Sequence, residues 1–563
     1  MKRGTIFLRL ILAAVLMAGT AEVMLCDSKS AGTPDAIIDA ARAAAKGDAL
    51  LEALLTELER SKSQLKMDQV QSPYYIEYRV NDVDDFSAEA AFGALRESSR
   101  SRLRVLRVVV RIGDYKQDSY YGQGLGAASI LPLDSDPIAL RRQIWLLTDE
   151  AYKSAADAYA EKLSALKQFA ADPNPVDDFA HAPTVSDVGE TVSLKIDQRE
   201  WDETLQDVTD LYRQYPAIQS VEASARFTAV NDYFVNSEGT IVRQGRTTAT
   251  VTLSSSTQAA DGMRLGRSPF WTEQNPEELP SREALLKESK TMLDTLQQLE
   301  KAPIVEESYR GPVLFAPDAA NDVMAGLIGG NVLGRKPQPG RPNRTTGAFA
   351  TSYKTRVLPN FVTVVDDPTV KAFEGKTLLG SYEVDSEGVK AAPVTVVNQG
   401  MLTNYLIGRQ PLRDLPVSNG HGRATPGGTP QPSLGVLLFK SSEAEPPKDL
   451  NDKLIHMASE AGQPYGYRVA TLGPGNSPRL LYRVYVKDGH EELVRGAVFN
   501  ELDVRALRND LTAMGDDPLV SNRMSGLPQT IICPSLLFDE LEVKRADTTK
   551  EKLPEYPAPD LKQ

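Results

Sequence analysis

Residues 233–242, YFVNSEGTIV, predict a β-hairpin in the first half of the chain. Two apolar runs flank the polar sequence at residues 236–239, and Gly239 can adopt the left-handed conformation that a tight turn requires. Just upstream, residues 221–227 alternate between apolar and polar positions, which is typical of a half-buried strand. This stretch therefore predicts antiparallel strand pairing.

Around the hairpin, helices and strands occur in blocks rather than in regular β-α-β alternation, which favours an α+β fold. From residue 309 onward, proline and glycine become frequent and short strands dominate. We therefore expect a mixed N-terminal domain at residues 35–300, a β-rich C-terminal domain at 307–546 and a polar tail at 547–563. The helices predicted for the first domain are at residues 35–61, 137–170, 201–212 and 281–301, and strands are predicted at 74–80 and 103–112.

Length and composition limit the possible classes of protein. The chain has 563 residues, which corresponds to two domains or more at about 100–200 residues per domain. A charged fraction of 25% and an apolar fraction of 41% exclude a mostly disordered chain and a polytopic membrane protein. The net charge of −13 repels phosphate backbones, so we expect no nucleic-acid partner.

The N-terminus has the layout of a secretory signal peptide. Lys2 and Arg3 precede an apolar run at residues 10–18, and small residues around Ala21 form a cleavage site. We expect a signal peptide at 1–21, a linker at 22–34 and a mature, exported protein, in the periplasm, without a transmembrane segment. Such a compartment permits a disulfide between Cys26 and Cys533, a pairing that the sequence leaves open.

Few local motifs carry chemistry. We find no glycine-rich phosphate loop after a strand and no G-x-S-x-G nucleophile motif. The four histidines, His181, His421, His456 and His490, are too far apart for a helical metal-binding pair. His421 differs in its setting, because glycines on both sides allow the backbone to approach another group closely.

Five segments in the same order resemble the TldD/PmbA metallopeptidase family. The most specific is GSYEVDSEGV at residues 380–389, which contains a D-x-E-G sequence. The others are residues 234–239, 311–315, 398–406 and 419–423, so that the resemblance covers roughly residues 220–545. It implies the fold of that family.

The resemblance also implies where a zinc site would lie. Active members carry H-E-x-x-x-H on the helix after the opening strand of the C-terminal domain, and a cysteine near the C-terminus completes the site. Aligning the family glycines places Ala325 at the first histidine, Gly326 at the catalytic glutamate and Gly330 at the second histidine. No cysteine lies at residues 521–526, and we interpret Cys533 as a small buried apolar residue. We therefore expect no catalytic residue, no bound metal and no cofactor, whereas active relatives use zinc.

The family includes a precedent in PmbA, also called TldE, which lacks the motif and assembles with TldD. We accordingly predict a non-catalytic, peptide-binding or partner subunit, as a homodimer or as a heterodimer with an active family member. Family members are thought to bind unfolded peptides by adding a strand to a sheet edge, which needs no metal. The predicted peptide-binding residues are Asp385, Glu387, Gly388, Asn419, His421 and Arg423.

Two alternatives remain open at this point. A divergent active metallopeptidase would recruit His421 with carboxylates such as Asp385 and Glu387 for a rebuilt metal site, so enzymatic activity is undecided. An interaction protein would instead use the alanine-rich helices at 35–61 and 137–170 as docking surfaces, although such stripes usually face a core.

Overall fold

A computed structural model describes residues 43, 45–121, 125–168, 175–305, 308–337, 344–473, 475, 477–547, 552–556 and 558–559. The predicted signal peptide, the linker, Cys26 and most of the chain before residue 45 lie outside these residues. Among the described helices, none is long and apolar enough to cross a membrane.

The N-terminal domain is one antiparallel sheet with helices on one face. Its strands are β1 (Tyr75–Ala91), β2 (Ala94–Arg111), β3 (Ala127–Ile130), β4 (Ser186–Val188), β5 (Ser220–Asn236), β6 (Ile241–Gln258), β7 (Arg264–Arg267) and β8 (Phe270–Glu273). The order is β3-β2-β1-β5-β6-β4, in which β4 alone runs parallel to its neighbour, and β7 and β8 pair with β6. Its helices are α1 (Ala49–Gln64), α2 (Pro137–Leu166), α3 (Gln198–Asp210) and α4 (Arg282–Lys301).

Local sequence explains where these helices begin. The side chains of Asp48, Asp136, Asp197 and Ser281 each accept hydrogen bonds from backbone N–H groups of the first turn. The predicted hairpin at 236–239 is confirmed, with Gly239 at φ 98° and the Asn236 side chain accepting from the backbone of Glu238 and Thr240.

The strands are longer than predicted. β5 and β6 have 17 and 18 residues, and the predicted strands at 74–80 and 103–112 are only the apolar ends of β1 and β2. Residues 94–103 of β2 are exposed throughout, so no apolar alternation marks that half of the strand.

The C-terminal domain contains two larger sheets that share one apolar core. Its helices are α5 (Pro317–Leu327), α6 (Pro447–Glu460) and α7 (Val504–Asn509). Its strands are β9 (Tyr309–Phe315), β10 (Val362–Asp366), β11 (Ala372–Phe373), β12 (Lys376–Thr377), β13 (Val394–Asn398), β14 (Met401–Leu402), β15 (Gly422–Arg423), β16 (Gln431–Pro432), β17 (Val436–Ser441), β18 (Ala444–Glu445), β19 (Tyr465–Gly473), β20 (Ser477–Tyr485), β21 (Glu491–Val494), β22 (Ala497–Phe499), β23 (Leu511–Gly515), β24 (Leu519–Ser525), β25 (Leu527–Cys533) and β26 (Leu536–Arg545).

One sheet has the order β14-β13-β10-β17-β25-β24, and the other has β18-β23-β26-β9-β19-β20-β21 with β22 on β26. Phe315 and Phe538 from one sheet and Val364 and Ile531 from the other belong to the same buried core. Helices and strands are segregated and the sheets mixed, which confirms the predicted α+β class.

The two domains meet across polar groups. In β1, Ile76, Tyr78 and Val80 pack under α1 and α2, and the residues between them face the other way. On that opposite face, Arg79 donates to the carbonyl groups of Ser386 and Gly428 in the C-terminal domain. The helix-free face of the first sheet therefore supports the loops that carry the D-x-E-G sequence.

Candidate functional site

The helix at the family's zinc position is α5, and it is short. Pro317 occupies its first turn, where a missing N–H costs nothing, and the helix ends at Leu327. A 3₁₀ turn at Gly329–Asn331 follows, so Gly330 lies beyond the helix. Ala325 is half-buried and Gly326 is exposed.

The glycines of this segment fall into two groups. A Cβ atom at Gly326 or Gly330 would meet no atom within 4 Å, whereas one at Gly334 would lie 2.6 Å from both Ile407 and Leu412. Gly334 is thus required by packing. The other two positions have room for larger side chains, but hold no group that can bind a metal or transfer a proton.

Among the described residues, no group of three or more His, Cys, Asp or Glu side chains is arranged to hold a metal ion. Cys533 is fully buried at the end of β25, as predicted, and its thiol lies 3.4 Å from the carbonyl oxygen of Pro534. Burial raises the pKa of this thiol well above its ordinary value, which disfavours the thiolate that metal binding requires.

The D-x-E-G sequence forms a buried turn between the domains. The carboxylate of Asp385 accepts backbone hydrogen bonds from Glu387, Val389 and Gly422, each at 2.9 Å. Gly388 has φ 76°, and a Cβ atom there would lie 2.5 Å from the ring of Phe234 in the first domain. Only glycine fits this contact, which explains why the turn needs that residue.

Glu387 is buried beside this turn. One of its carboxylate oxygens accepts the backbone N–H of Arg409 at 2.6 Å and would lie 2.1 Å from a Cβ atom at Gly408 or Gly422. Burial and the neighbouring Glu387 raise the pKa of Asp385 to about 8, and burial raises that of Glu387. The two acids are therefore close to each other and far from water.

His421 is fully buried. Its Nδ1 lies 3.0 Å from the carbonyl oxygen of Asn419, and its Nε2 lies 3.2 Å from the Asp366 carboxylate. Asn419 itself binds the segment at residues 405–407, accepting from the backbone of Ile407 and donating to the carbonyl of Tyr405. Both ring nitrogens of His421 are therefore already engaged within the protein.

Arg423 is buried as well, and its guanidinium donates to the carbonyl groups of Leu434 and Pro528 and stacks 4.6 Å from the ring of Tyr382. The structure thus places the predicted peptide-binding residues in loop contacts that hold chain segments together, and all of them except Asn419 are buried. Their part in peptide binding remains a prediction.

A buried ion pair that the sequence did not reveal joins the domains. The side chain of Arg409 is fully buried and donates two hydrogen bonds to Glu238 and two to the carbonyl of Ala180. Its guanidinium also lies 4.0 Å from the ring of Phe179. Glu238 belongs to the hairpin turn, so its polarity predicted a turn and gave no signal of a partner 171 residues away.

A cleft of about 340 Å³ lies between the domains. Strands β7 and β8 form one wall, and the start of α5 with β24 forms the other. Within the described chain, β8 pairs only with β6 and β24 only with β25. At this cleft, β8 and β24 therefore lie close together without hydrogen-bonding to each other, beside α5.

The cleft is closed at one point by polar contacts. The ammonium nitrogen of Lys376 lies 3.2 Å from a carboxylate oxygen of Glu273 in β8, and the side chain of Asn522 in β24 donates to the other oxygen at 3.4 Å. Its walls come from residues more than 200 positions apart, such as Thr272 and Val520, so no sequence pattern signalled it.

Comparisons with known proteins agree with this architecture. Residues 308–545 match the model of the PmbA/TldA metallopeptidase C-terminal domain. A metalloprotease from Methanothermobacter thermautotrophicus is 24% identical over 234 residues, which cover 41% of this chain and 49% of that protein. The match thus spans about half the length of that relative.

Solved structures with low sequence identity share the fold over most of the chain. A Thermotoga maritima protein described as a modulator of a DNA gyrase superposes with a TM-score of 0.58 and 16% identity, covering 86% of this chain and 99% of its own. TldE from Thermococcus kodakarensis gives a TM-score of 0.54 and 14% identity, covering 87% and 99%. The fold and the matched domain define a metallopeptidase-like α+β protein. Residues 308–545 therefore form a C-terminal domain of the PmbA/TldD type, which confirms the resemblance seen in the sequence.

Proposed function

We propose that this chain is an exported, non-catalytic member of the PmbA/TldD family that binds an extended peptide segment. It works as a partner subunit, beside a second copy or an active relative. The observation that carries the proposal is the identity of Ala325, Gly326 and Gly330 at the family's zinc and glutamate positions. The methyl side chain of Ala325 and the single hydrogen atoms of Gly326 and Gly330 can neither coordinate zinc nor accept a proton from a metal-bound water.

Peptide binding is supported by the interdomain cleft. An extended peptide can pair its backbone with the free edge of a strand, and β8 and β24 each have such an edge at the cleft among the described residues. The cleft volume of about 340 Å³ falls in the range of ligand sites, which is about 300–1,000 Å³. Strand addition needs no metal, so this role is compatible with the lost ligands.

Export is supported by the sequence alone. Lys2 and Arg3, the apolar run at 10–18 and the small residues before Glu22 direct the chain to the secretory pathway. Fractionation of cells that express the full chain tests this step. We expect a periplasmic protein whose N-terminus is Glu22, and a cytoplasmic protein that retains Met1 would contradict export.

A rebuilt metal site is not favoured by the geometry. It would need His421, Asp385 and Glu387 to converge on one ion, but His421 is engaged with Asp366 and Asp385 with three backbone N–H groups.

Cleavage of an unfolded protein tests the absence of catalysis. The purified chain is incubated with reduced, carboxymethylated lactalbumin in the presence of zinc, with or without a chelator. We expect no chelator-sensitive cleavage by the chain or by its His421→Ala variant. Chelator-sensitive cleavage that disappears in His421→Ala would establish the alternative enzyme and overturn the proposal.

A further inference from the structure

The cleft contains an arginine with few hydrogen-bond partners. Arg267 lies at the end of β7, and its Nε is buried without a hydrogen-bond partner. Its Nη1 makes one long hydrogen bond, 3.4 Å to the hydroxyl of Thr471. Among the described residues, this guanidinium forms no ion pair, and the Asp318 carboxylate attracts it only at longer range. A half-buried guanidinium normally has a carboxylate or several carbonyl groups around it.

A second guanidinium lines the same cleft. Arg479 of β20 reaches it and donates to the hydroxyl of Ser268 at 3.2 Å. Burial lowers the pKa of Arg267, and the nearby charge of Arg479 adds to this, whereas Asp318 and Glu288 oppose it; an arginine nevertheless keeps its proton at physiological pH. Two like charges therefore share one wall of the cleft.

Within the described chain, the acids of the cleft form no ion pair with Arg267 or Arg479. Glu273 is held by Lys376 at 3.2 Å, and Asp322 is held by Arg523 at 2.7 Å. Asp318, in the first turn of α5, also lines the cleft and attracts Arg267 at longer range. The Arg267 guanidinium therefore lacks a directly bonded carboxylate among the described residues.

A carboxylate is the group that best complements this arrangement. Its two oxygens accept parallel hydrogen bonds from a guanidinium, and such charge-assisted bonds are stronger than neutral ones. The backbone of an extended peptide carries a carboxylate only at its C-terminus. We infer that the cleft captures the C-terminal carboxylate of an extended peptide, with Arg267 and Arg479 as the carboxylate clamp.

This inference rests on the proposed peptide binding and adds a selection for chain ends. Backbone pairing with β8 or β24 would hold the last residues of the peptide, and the clamp would fix where the peptide stops. An internal segment would pair with the same edges but leave both guanidinium groups uncompensated, which costs binding free energy. The protein would therefore prefer free tails over internal loops.

Fluorescence anisotropy with two synthetic peptide mixtures tests the clamp. Both are degenerate hexapeptides without acidic residues and with an N-terminal fluorescein, one with a free C-terminal carboxylate and the other with a C-terminal amide. We expect the chain to bind the free acid about tenfold more tightly than the amide, corresponding to about 1.4 kcal/mol. The variants Arg267→Gln and Arg479→Gln should lose this preference and keep the affinity for the amide.

Arg226→Gln is the matched control, because Arg226 lies on the same sheet, is 70% exposed and pairs with Asp85 away from the cleft. It should keep the tenfold preference. Arg267→Lys keeps the charge but removes the two-donor geometry, so its preference for the free acid should lie between those of the wild type and Arg267→Gln. This variant also tests the clamp if Arg267→Gln folds poorly.

Each remaining outcome has a definite meaning. Equal affinity of the wild-type chain for acid and amide would overturn the clamp and leave peptide binding intact. No binding of either mixture would overturn both the clamp and the proposed peptide binding. Amidated peptides with one internal aspartate that bind as tightly as the free acid would show a site for acidic side chains, and so overturn recognition of the chain end.

Discussion

The guanidinium of Arg409 and the carboxylate of Glu238 form a two-bonded ion pair across the domain boundary, with distances of 2.7 and 2.8 Å. The Arg409 side chain has no exposed surface, whereas Glu238 is 17% exposed. This pair connects the turn of the first domain's β5–β6 hairpin to the segment that contacts Glu387 of the D-x-E-G sequence.

We predict that Glu238→Gln strongly destabilises the protein. Removing one partner leaves the other charge buried and uncompensated, which costs about 3–5 kcal/mol. The exposed pair of Arg310 and Glu501 offers a control, since Arg310 is 56% exposed and such pairs contribute about 0–1 kcal/mol. Urea denaturation of Glu238→Gln and Glu501→Gln measures the free energy of unfolding of each variant. Equal losses would show that the buried pair contributes no more to stability than the exposed pair.

The acid at Asp385 makes stability depend on pH. Its pKa in the folded protein is raised to about 8, above that of an unfolded aspartate, so its protonated form favours folding. That contribution is complete below the unfolded pKa of about 3.9 and is lost as pH rises through about 8.

Asp385→Asn removes this titration. We expect the melting temperature of the wild type, relative to the variant, to fall steadily between pH 5 and pH 9. The exposed Glu443→Gln serves as control and should show no such trend. A pH-independent difference between wild type and Asp385→Asn would contradict the raised pKa.

Gly388 is predicted to be intolerant of any side chain. Gly388→Ala places a methyl group 2.5 Å from the ring of Phe234 at a positive φ of 76°. Gly375 has a similar φ of 82° and nothing within 4 Å, so Gly375→Ala measures the backbone strain alone, about 1 kcal/mol. Thermal unfolding should show a clearly larger loss for Gly388→Ala, and equal losses would mean that the Phe234 contact relaxes without cost.

The segment at the family's zinc position should accept the missing side chains. Gly326→Glu and Gly330→His enter open space, and replacing a glycine within α5 adds helix propensity of up to about 1 kcal/mol. We expect unchanged or higher melting temperatures for both. Gly334→Ala should instead destabilise, because its methyl group would lie 2.6 Å from Ile407 and Leu412. Loss of folding in Gly330→His would show that the segment cannot hold a metal ligand for steric reasons.

The sequence predicted those parts of the fold that depend on local chemistry. Turn residues 236–239 and the helix start at Asp136-Pro137 determine their structures through nearby backbone groups, and both are confirmed. The outer half of β2 was missed because residues 94–103 carry polar side chains on an exposed strand, which leaves no period-two pattern.

The candidate site was predicted less completely. The D-x-E-G sequence at 385–388 carried the resemblance to the family, but its burial against Phe234 depends on a contact between distant segments. The position of Arg267 in the cleft likewise depends on how the two domains pack together. No spacing along the chain could reveal that β8, β24 and a guanidinium without a directly bonded carboxylate meet there.

Zinc titration of the purified full chain, after removal of metals with a chelator, tests the central claim most directly. We predict that isothermal titration calorimetry detects no saturable tight binding, because Ala325, Gly326 and Gly330 supply no ligand. One equivalent of tightly bound zinc per chain would contradict the claim that this family member has lost its catalytic metal site.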